Sequence, residues 1–83
     1  MKITFKLFAT LSDYLPSGRK NNAIELEVAP ATTIGDLVSR FKLPEKLVHL
    51  VLINGLYVAP PARRAGVLRD GDVVAIWPPI AGD

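Results

Sequence analysis

An amphipathic helix is the feature that most constrains how this chain can fold, because it is the one stretch with a clear helical period. Four apolar residues recur at i, i+3, i+4 and i+7: Ile34, Leu37, Val38 and Phe41. Thr33 is a suitable N-cap, Asp36 can close a capping box with it, and Pro44 limits continuation of the helix. A helix with one apolar face must bury that face, so the sequence predicts a sheet beneath it.

Two stretches before the helix have the period of two that indicates half-buried strands. Residues 2–8 alternate polar and apolar side chains, and residues 24–28 do the same. The segment between them, residues 9–22, carries turn residues and room for one short helical turn. We therefore expect the first two strands to pair as a long hairpin.

Three stretches after the helix indicate further strands. Residues 48–53 are apolar almost throughout, as expected of a strand that is covered on both faces or nearly so. Asn54-Gly55 predicts a type I′ turn that leads into a short strand at Tyr57-Val58. Asp70-Gly71 predicts a second turn, which feeds the last strand at residues 73–77.

This order of elements predicts an α+β fold, with a mixed sheet of four to five strands and one main helix packed across it. The second strand, the helix and the third strand are candidates for the right-handed crossover that parallel neighbours require, while the strand order stays open. Residues 62–68 are expected to form an irregular connection. The length of 83 residues predicts a single domain, residues 1–83.

The composition excludes several classes of function. The absence of cysteine excludes a disulfide framework, a thiolate nucleophile and cysteine-based metal sites. Ten basic and eight acidic residues give a net charge of +2, too small a surplus to indicate nucleic-acid binding. No apolar run approaches the ~18–20 residues of a membrane span, and the N-terminus is not a signal peptide. We therefore expect a cytoplasmic protein without nucleic-acid or membrane partners.

A search for chemistry in the sequence yields no catalytic residue and no metal site. The single histidine, His49, lies in the most apolar strand and is expected to be a packed or edge residue, not a base. Asp70 and Asp72 flank a glycine and are interpreted as turn residues. Arg63 and Arg64 are candidates either for contact with an acidic partner or for a solvated loop.

The last six residues form a distinct C-terminal segment. The apolar run that ends at Trp77 stops at Pro78-Pro79, and small side chains follow. Proline removes a backbone donor and fixes φ, so a central strand cannot continue through this pair. Residues 78–83 are therefore predicted to be an extended tail that reaches at most about 20 Å from the body. A narrow tail of this kind raises the question of what it enters.

Several motifs together resemble the MoaD/ThiS family of ubiquitin-like β-grasp sulfur carriers, and most closely its MoaD branch. The most specific is Leu68-x-x-Gly71-Asp72-x-Val74 followed by a strand and the tail Pro78-Pro79-Ile80-Ala81-Gly82. The helix start Thr32-Thr33-Ile34-x-Asp36-Leu37 and the turn Ile53-Asn54-Gly55 also fit, so the likeness spans the whole chain. The resemblance implies the ubiquitin-like β-grasp fold.

The resemblance also implies a carrier that is not an enzyme and binds no cofactor of its own. In this family an adenylating activating enzyme uses ATP to activate the carboxylate of the tail glycine, and sulfur then replaces the adenylate. In molybdopterin synthesis the tail enters a MoaE-like large subunit, where the sulfur is transferred. By this resemblance the carrier end of the tail is Ala81-Gly82-Asp83, and Pro78-Pro79-Ile80 positions it.

Asp83 departs from the family pattern, in which a second glycine ends the tail. Its side chain adds a charge where a tight channel admits hydrogen, and burial of an unpaired carboxylate costs several kcal/mol. If its α-carboxyl were activated, its own β-carboxylate would lie at five-membered-ring distance and could form a cyclic anhydride that hydrolyses. The chain as written is therefore expected to be a poor adenylation substrate.

Several interpretations remain open at this point. The chain is a MoaD-type carrier that tolerates Asp83 or is trimmed of it by a protease, or a β-grasp interaction module that has lost conjugation. A ThiS-like carrier for thiazole or another sulfur-containing metabolite is a further alternative, as is an unrelated function on a similar fold. The partner interface is expected to combine the tail with an exposed sheet face. Its candidate residues are Trp77, Ile76, Leu50, Arg63 and Arg64.

Overall fold

Five strands, two short α-helices and two 3₁₀ helices make up the fold in the computed structural model, which describes residues 1–16 and 21–79. The strands are β1 (Lys2–Leu7), β2 (Ala23–Glu27), β3 (Leu50–Ile53), β4 (Leu56–Tyr57) and β5 (Val73–Trp77). The α-helices are α1 (Ile34–Arg40) and α2 (Ala62–Ala65), and the 3₁₀ helices are Ala9–Tyr14 and Glu45–Leu47. The predicted tail residues 80–83 lie outside the described residues.

The strands form one mixed sheet in the order β2-β1-β5-β3-β4. The pair β1 and β5 is parallel, whereas the other three neighbouring pairs are antiparallel. The predicted hairpin of the first two strands is therefore confirmed. A mixed five-stranded sheet with one main helix packed on it is the ubiquitin-like β-grasp fold, as the resemblance implied.

The register between the two central strands places apolar side chains together on the helix side. Phe5 lies opposite Val74 and Leu7 lies opposite Ile76, and all four side chains are fully buried. A shift of one residue would turn this set to the other face, so burial specifies the register. Helix α1 adds Ile34 and Leu37 to the same core, together with Val51 from β3.

Helix α1 begins and packs as its sequence predicts. The Thr33 hydroxyl accepts a hydrogen bond from the Asp36 N–H at 3.1 Å, and the Asp36 carboxylate accepts one from the Thr33 N–H at 2.9 Å. This capping box satisfies two backbone donors that the first helical turn leaves unpaired. At the other end the Phe41 ring stacks on Phe5, with ring centroids 5.2 Å apart. Within the apolar stripe, Ile34 and Leu37 are therefore buried on the sheet, and Val38 and Phe41 are partly buried against the same core.

The expected crossover between neighbouring parallel strands is wrong. Strands β2 and β3 run in the same direction but are separated by β1 and β5. The reason is the burial of β5, in which Val74, Ala75 and Ile76 are all buried. The most buried strand therefore lies in the middle of the sheet, between its parallel partner β1 and its antiparallel partner β3.

Strand β3 is less covered than its apolar sequence suggests. It begins at Leu50 instead of at 48, and within it only Val51 is buried, because the face away from α1 carries no second layer among the described residues. The two turns are confirmed by positive φ angles of 51° at Asn54, 83° at Gly55 and 86° at Gly71. The connection expected to be irregular contains α2.

Candidate functional site

The root of the tail is held firmly by the sheet. The N–H of His49 donates to the Trp77 carbonyl at 3.1 Å, and the N–H of Phe8 donates to the Ile76 carbonyl at 3.1 Å. Strand β5 ends at Trp77, as the double proline predicts, and Pro78 is buried whereas Pro79 is exposed. The chain is therefore fixed up to the point where the tail begins. The predicted tail residues Ile80, Ala81, Gly82 and Asp83 lie beyond this point, outside the described residues.

An apolar patch lies beside this root, on the sheet face opposite α1. The Trp77 ring stacks on the Phe8 ring with centroids 4.1 Å apart and an interplanar angle of 5°. Leu50 lies opposite Trp77, and Leu52 lies opposite Ala75, in the antiparallel register of β3 and β5. Both leucines and the tryptophan are half-buried, which leaves part of each ring or side chain accessible. We call this the open-face patch, and it consists of Phe8, Leu50, Leu52, Ala75 and Trp77.

The prediction that Ile76 belongs to the partner interface is wrong. Its side chain is 0% exposed and lies in the core with Leu7 and Val51. Successive side chains of a strand point to opposite faces, so Trp77 reaches the open face only if its neighbour Ile76 points to the helix. Trp77 and Ile76, which were predicted together, therefore differ: Trp77 lies on the open face and Ile76 lies in the core.

The other half of the same sheet face is polar. Strands β1 and β2 place charged side chains there, in a register that sets Lys2 opposite Glu27 and Lys6 opposite Ala23. Glu25 is exposed in the same row. The open-face patch is thus an apolar area with a charged border on one side, which is the usual composition of a protein-binding surface.

The two neighbouring arginines, Arg63 and Arg64, lie in different environments. The half-buried Arg63 guanidinium donates three hydrogen bonds to main-chain carbonyls, to Val58 from Nε at 3.2 Å, to Val48 from Nη1 at 3.1 Å and to His49 from Nη2 at 3.0 Å. Arg64 instead forms a salt bridge with Glu45 at 3.1 Å, with both side chains more than three-quarters exposed. Arg63 therefore holds the backbone, whereas Arg64 remains accessible.

Both arginines lie beside a depression on the helix side of the molecule. The depression has a volume of about 570 Å³ and is open to solvent. Its walls come from α1, from the segment before β3 and from α2. They include Val38, Ser39, Glu45, Val48 and Pro60. The arginines are thus not part of the open-face patch, and the structure does not bring them together with Trp77 and Leu50 on one surface.

The aspartates before β5 are turn residues, as predicted. Asp70 accepts a hydrogen bond from the Lys2 N–H at 2.8 Å, and Asp72 accepts one from the Arg69 N–H at 2.8 Å. Asp72 also accepts from the Asn54 side-chain amide at 3.0 Å. Their carboxylates stabilise the backbone around Gly71. His49 is exposed and belongs to the edge of β3 through its main chain.

Sequence reasoning missed four residues of this surface, one of which is Ala75 of the open-face patch. Phe8 and Leu52 complete the open-face patch, and Tyr57 continues it on β4, where its side chain is 60% exposed. Phe8 could have been found from the sequence, because it comes directly after the alternating polar and apolar residues of β1. Within residues 1–16 and 21–79, no cluster of three acidic or histidine side chains is placed to hold a metal ion. No helix in the same ranges has the length and apolar character needed to cross a bilayer.

Comparison with known proteins agrees with this geometry. The model of the Mut7-C ubiquitin family (Ub-Mut7C) matches residues 1–82. No curated protein matches the chain. Among solved structures, the HVO 2177 protein of Haloferax volcanii is similar at 28% identity and a TM-score of 0.76, over 100% of this chain and 87% of that one.

Two further solved structures connect the chain to small ubiquitin-like carriers. SAMP1 from Haloferax volcanii is similar at 25% identity and a TM-score of 0.68, with 100% of both chains covered. A Pyrococcus furiosus protein provisionally named molybdopterin converting factor subunit 1 is similar at 25% identity and a TM-score of 0.68, over 95% of this chain and 98% of that one. These matches confirm the resemblance to the MoaD group of ubiquitin-like sulfur carriers at the level of the family. The chain therefore belongs to the Mut7-C ubiquitin family.

Proposed function

We propose that this protein is a MoaD-type sulfur carrier in which the carboxylate of Gly82, and not that of Asp83, receives the sulfur. Cleavage of the Gly82–Asp83 peptide bond by a protease exposes that carboxylate. The activating enzyme converts that carboxylate to a thiocarboxylate. The tail that carries the sulfur then enters a synthase subunit of the MoaE type. The observation that supports the carrier function is the family match, which covers residues 1–82 and so includes the tail through Gly82.

The geometry at the root of the tail supports this function. A tail that enters a narrow pocket needs a rigid base, so that the free energy of binding is not lost in ordering the chain. Here the last strand is central in the sheet and hydrogen-bonded up to Trp77, and the next two residues are prolines. Prolines restrict the unbound tail and so lower the entropy that insertion costs.

The chemistry explains why the residue whose carboxylate receives the sulfur must be glycine. An oxygen of the Gly82 carboxylate attacks the α-phosphorus of ATP, and pyrophosphate leaves as the acyl-adenylate forms. Hydrosulfide then adds to the carbonyl carbon and AMP leaves with the electron pair of the C–O bond, which gives the thiocarboxylate and one proton. Glycine has no Cβ and no side chain that could attack its own activated carbonyl, whereas aspartate has both.

The open-face patch supplies the contact that holds a partner while the tail is inserted. Trp77 and Phe8 form a stacked aromatic pair directly beside the root of the tail. Partly buried aromatic side chains are common anchors of protein interfaces, because they bury a large area with little loss of rotamer freedom. We assign this surface to the activating enzyme and to the synthase subunit, which need access to the tail in turn.

Intact-mass spectrometry tests the proposal. Three forms of the protein, ending at Asp83, Gly82 and Ala81, are incubated with the host's activating enzyme, ATP and hydrosulfide. We expect only the form that ends at Gly82 to gain the mass difference between sulfur and oxygen. The form that ends at Ala81 is the control for tail length.

Two outcomes would contradict the proposal in different ways. Equal charging of the form that ends at Asp83 would show that cleavage is not needed, although the carrier function would stand. No mass gain on any form, together with stable binding of the activating enzyme, would make the protein an interaction module that has lost conjugation.

A further inference from the structure

One side chain, that of Asn54, joins the β3–β4 hairpin to the start of β5. Its Oδ1 accepts a hydrogen bond from the Val73 N–H at 2.9 Å, and its Nδ2 donates one to the Asp72 carboxylate at 3.0 Å. The Asn54 N–H also donates to the Val73 carbonyl at 2.9 Å. The paired residues of β3 and β5 end at Ile53 and Val74, so these bonds extend the ladder by one residue.

The residue that follows Asn54 makes its side-chain amide chemically labile. Of the three asparagines in the chain, Asn54 alone precedes a glycine, whereas Asn21 and Asn22 precede larger residues. Glycine has no Cβ to hinder its nitrogen, and a Cβ added at Gly55 would meet no atom within 4 Å. Attack by a neighbouring group of the same chain also has a high effective concentration. The Gly55 nitrogen is therefore a suitable nucleophile for the Asn54 side chain.

The folded turn holds these two groups apart. The φ of Asn54 is 51°, in the left-handed region, where ψ is about +30° to +60°. With such a ψ, the Asn54 Cβ and the Gly55 nitrogen lie nearly opposite each other about the Cα–C bond, whereas ring closure needs them on the same side. Both polar atoms of the side-chain amide are also held by residues at the start of β5. The turn must therefore open before the two groups can react.

We infer that Asn54 is a site of spontaneous deamidation, and that the reaction detaches the β3–β4 hairpin from the start of β5. The Gly55 nitrogen forms a bond to the Asn54 Cγ and gives up its proton, the Cγ–Nδ2 bond breaks, and ammonia leaves with one proton gained. Water then opens the succinimide ring at either carbonyl, which yields aspartate or isoaspartate. The net change is the uptake of one water and the release of one ammonia, with no other reactant.

The product carries a negative charge where the parent has a hydrogen-bond donor. An aspartate formed from Asn54 keeps one oxygen for the Val73 N–H, but its second oxygen takes the place of Nδ2, 3.0 Å from the Asp72 carboxylate. Two like charges at this distance repel each other. Isoaspartate instead adds a carbon to the main chain of a two-residue turn, whose geometry depends on its length. Either product therefore loosens the hairpin, and this inference does not depend on the proposed function.

Peptide mapping by mass spectrometry tests the chemistry. The whole protein is incubated at mildly alkaline pH, once folded and once in urea, and conversion of each asparagine to the acid is followed over time. We expect conversion at Asn54 in both samples, slower in the folded protein by about tenfold or more, because the turn must open first. Asn21 and Asn22 serve as internal references and should convert more slowly than Asn54 in urea. No conversion at Asn54 in the folded protein, or equal rates in the two samples, would overturn the inference.

Two glycine variants identify the attacking nitrogen. Gly55 and Gly71 are both turn glycines with open space around an added Cβ. In Gly55→Ala the new methyl group hinders the nitrogen, so conversion at Asn54 in urea should be slower by about tenfold or more. Gly71→Ala leaves the Asn54-Gly55 pair intact and should convert as fast as the parent in urea. Equal rates in the two variants would contradict attack by the Gly55 nitrogen.

Amide hydrogen exchange tests the structural consequence. Asn54→Asp imitates one product, and the Val58 N–H, which donates to the Val51 carbonyl at 2.9 Å across the hairpin, reports on hairpin opening. We expect this amide to exchange about tenfold faster than in the parent. The Val28 N–H, which donates to the Met1 carbonyl beside β1, should keep its rate. No change at Val58, or an equal rise at Val28, would overturn local detachment of the hairpin.

A swap of the two side chains separates charge repulsion from other effects of the substitution. In the double variant Asn54→Asp with Asp72→Asn, one amide again faces one carboxylate, so the donor between the two side chains is restored. We expect the Val58 amide to return to within about threefold of its rate in the parent. Exchange in the double variant as fast as in Asn54→Asp alone would show that repulsion by Asp72 is not the cause, and would overturn the inference.

Discussion

The two ends of β5 are stabilised in opposite ways. At its start, Asp72 accepts from the Arg69 N–H and from the Asn54 side chain, and Asn54 in turn accepts from the Val73 N–H at 2.9 Å. At its other end the strand runs into two prolines, which have no N–H with which to continue the ladder. One strand therefore has a closed end, where polar groups pair locally, and an open end, from which the tail leaves.

This difference shows where stability and function lie in a small domain. The closed end ties the β3–β4 hairpin to the centre of the sheet through Asn54. The open end places aromatic surface beside two prolines, which have no N–H to donate to β3. Changes at the closed end should affect mainly the free energy of unfolding, and changes at the open end should affect mainly partner binding. The predictions below test this division.

The largest effect should come from Ile76, which lies next to the open end but points into the core. Ile76→Ala should lower the free energy of unfolding by about 3 kcal/mol, because it leaves a cavity in a fully buried site. Trp77→Ala should cost clearly less stability and should weaken binding of the activating enzyme, because Trp77 lies on the open face. Urea unfolding and titration calorimetry measure the two quantities. Equal losses of stability would show that Trp77 is a core residue.

Asp72 should give the next largest effect. Asp72→Ala should cost about 1–2 kcal/mol, because the Arg69 N–H and the Asn54 amide both lose their acceptor. Asp72→Asn keeps one side-chain oxygen and should cost less. In both variants the folded protein should form the thiocarboxylate to the same extent as the parent. Loss of thiocarboxylate formation in a folded variant would show that the closed end also takes part in function.

Gly71 tests the same turn by its conformation alone. Its φ is 86°, and an added Cβ would meet no atom within 4 Å, so Gly71→Ala should cost about 1 kcal/mol through backbone strain only. Gly71→Asn should cost less, because asparagine tolerates this region. Thermal unfolding of the two variants distinguishes strain from steric clash. An alanine variant as stable as the parent would mean that the turn adopts another conformation.

Arg64 should give the smallest effect. Its ion pair with Glu45 is highly exposed, so Arg64→Ala should change the free energy of unfolding by only about 0.3 kcal/mol. Arg63→Ala, one residue away, should cost several times more because three carbonyls lose their donor. Parallel urea titrations measure both. Similar costs at the two positions would show that the three hydrogen bonds of Arg63 add little to stability.

Local features of this fold could be predicted from the sequence because they depend on neighbouring residues. The capping box of Thr33 and Asp36, the Asn54-Gly55 turn and the end of β5 before Pro78 each follow from side chains a few positions apart. The family resemblance then supplied the overall architecture. These interactions form within one turn or one strand, so the identities of neighbouring residues are enough to predict them.

Long-range features could not be predicted in the same way. The position of β5 between β1 and β3 depends on pairing between strands that are far apart in the sequence, and periodicity does not reveal it. The role of Arg63 depends on carbonyls that lie 14 and 15 residues away, and no spacing rule indicates such contacts. Ile76 was misplaced because the face of a strand is known only when its register is known.

The parallel pairing of β1 with β5 has a consequence for how the molecule bears load. If a partner pulls on the tail while the start of β1 is held, the two strands are drawn past one another along their length. The hydrogen bonds between them are then strained together instead of opening one by one, and β3 holds β5 from the other side. A pull on the chain after Trp77 would thus act along the direction in which the sheet is hardest to pull apart.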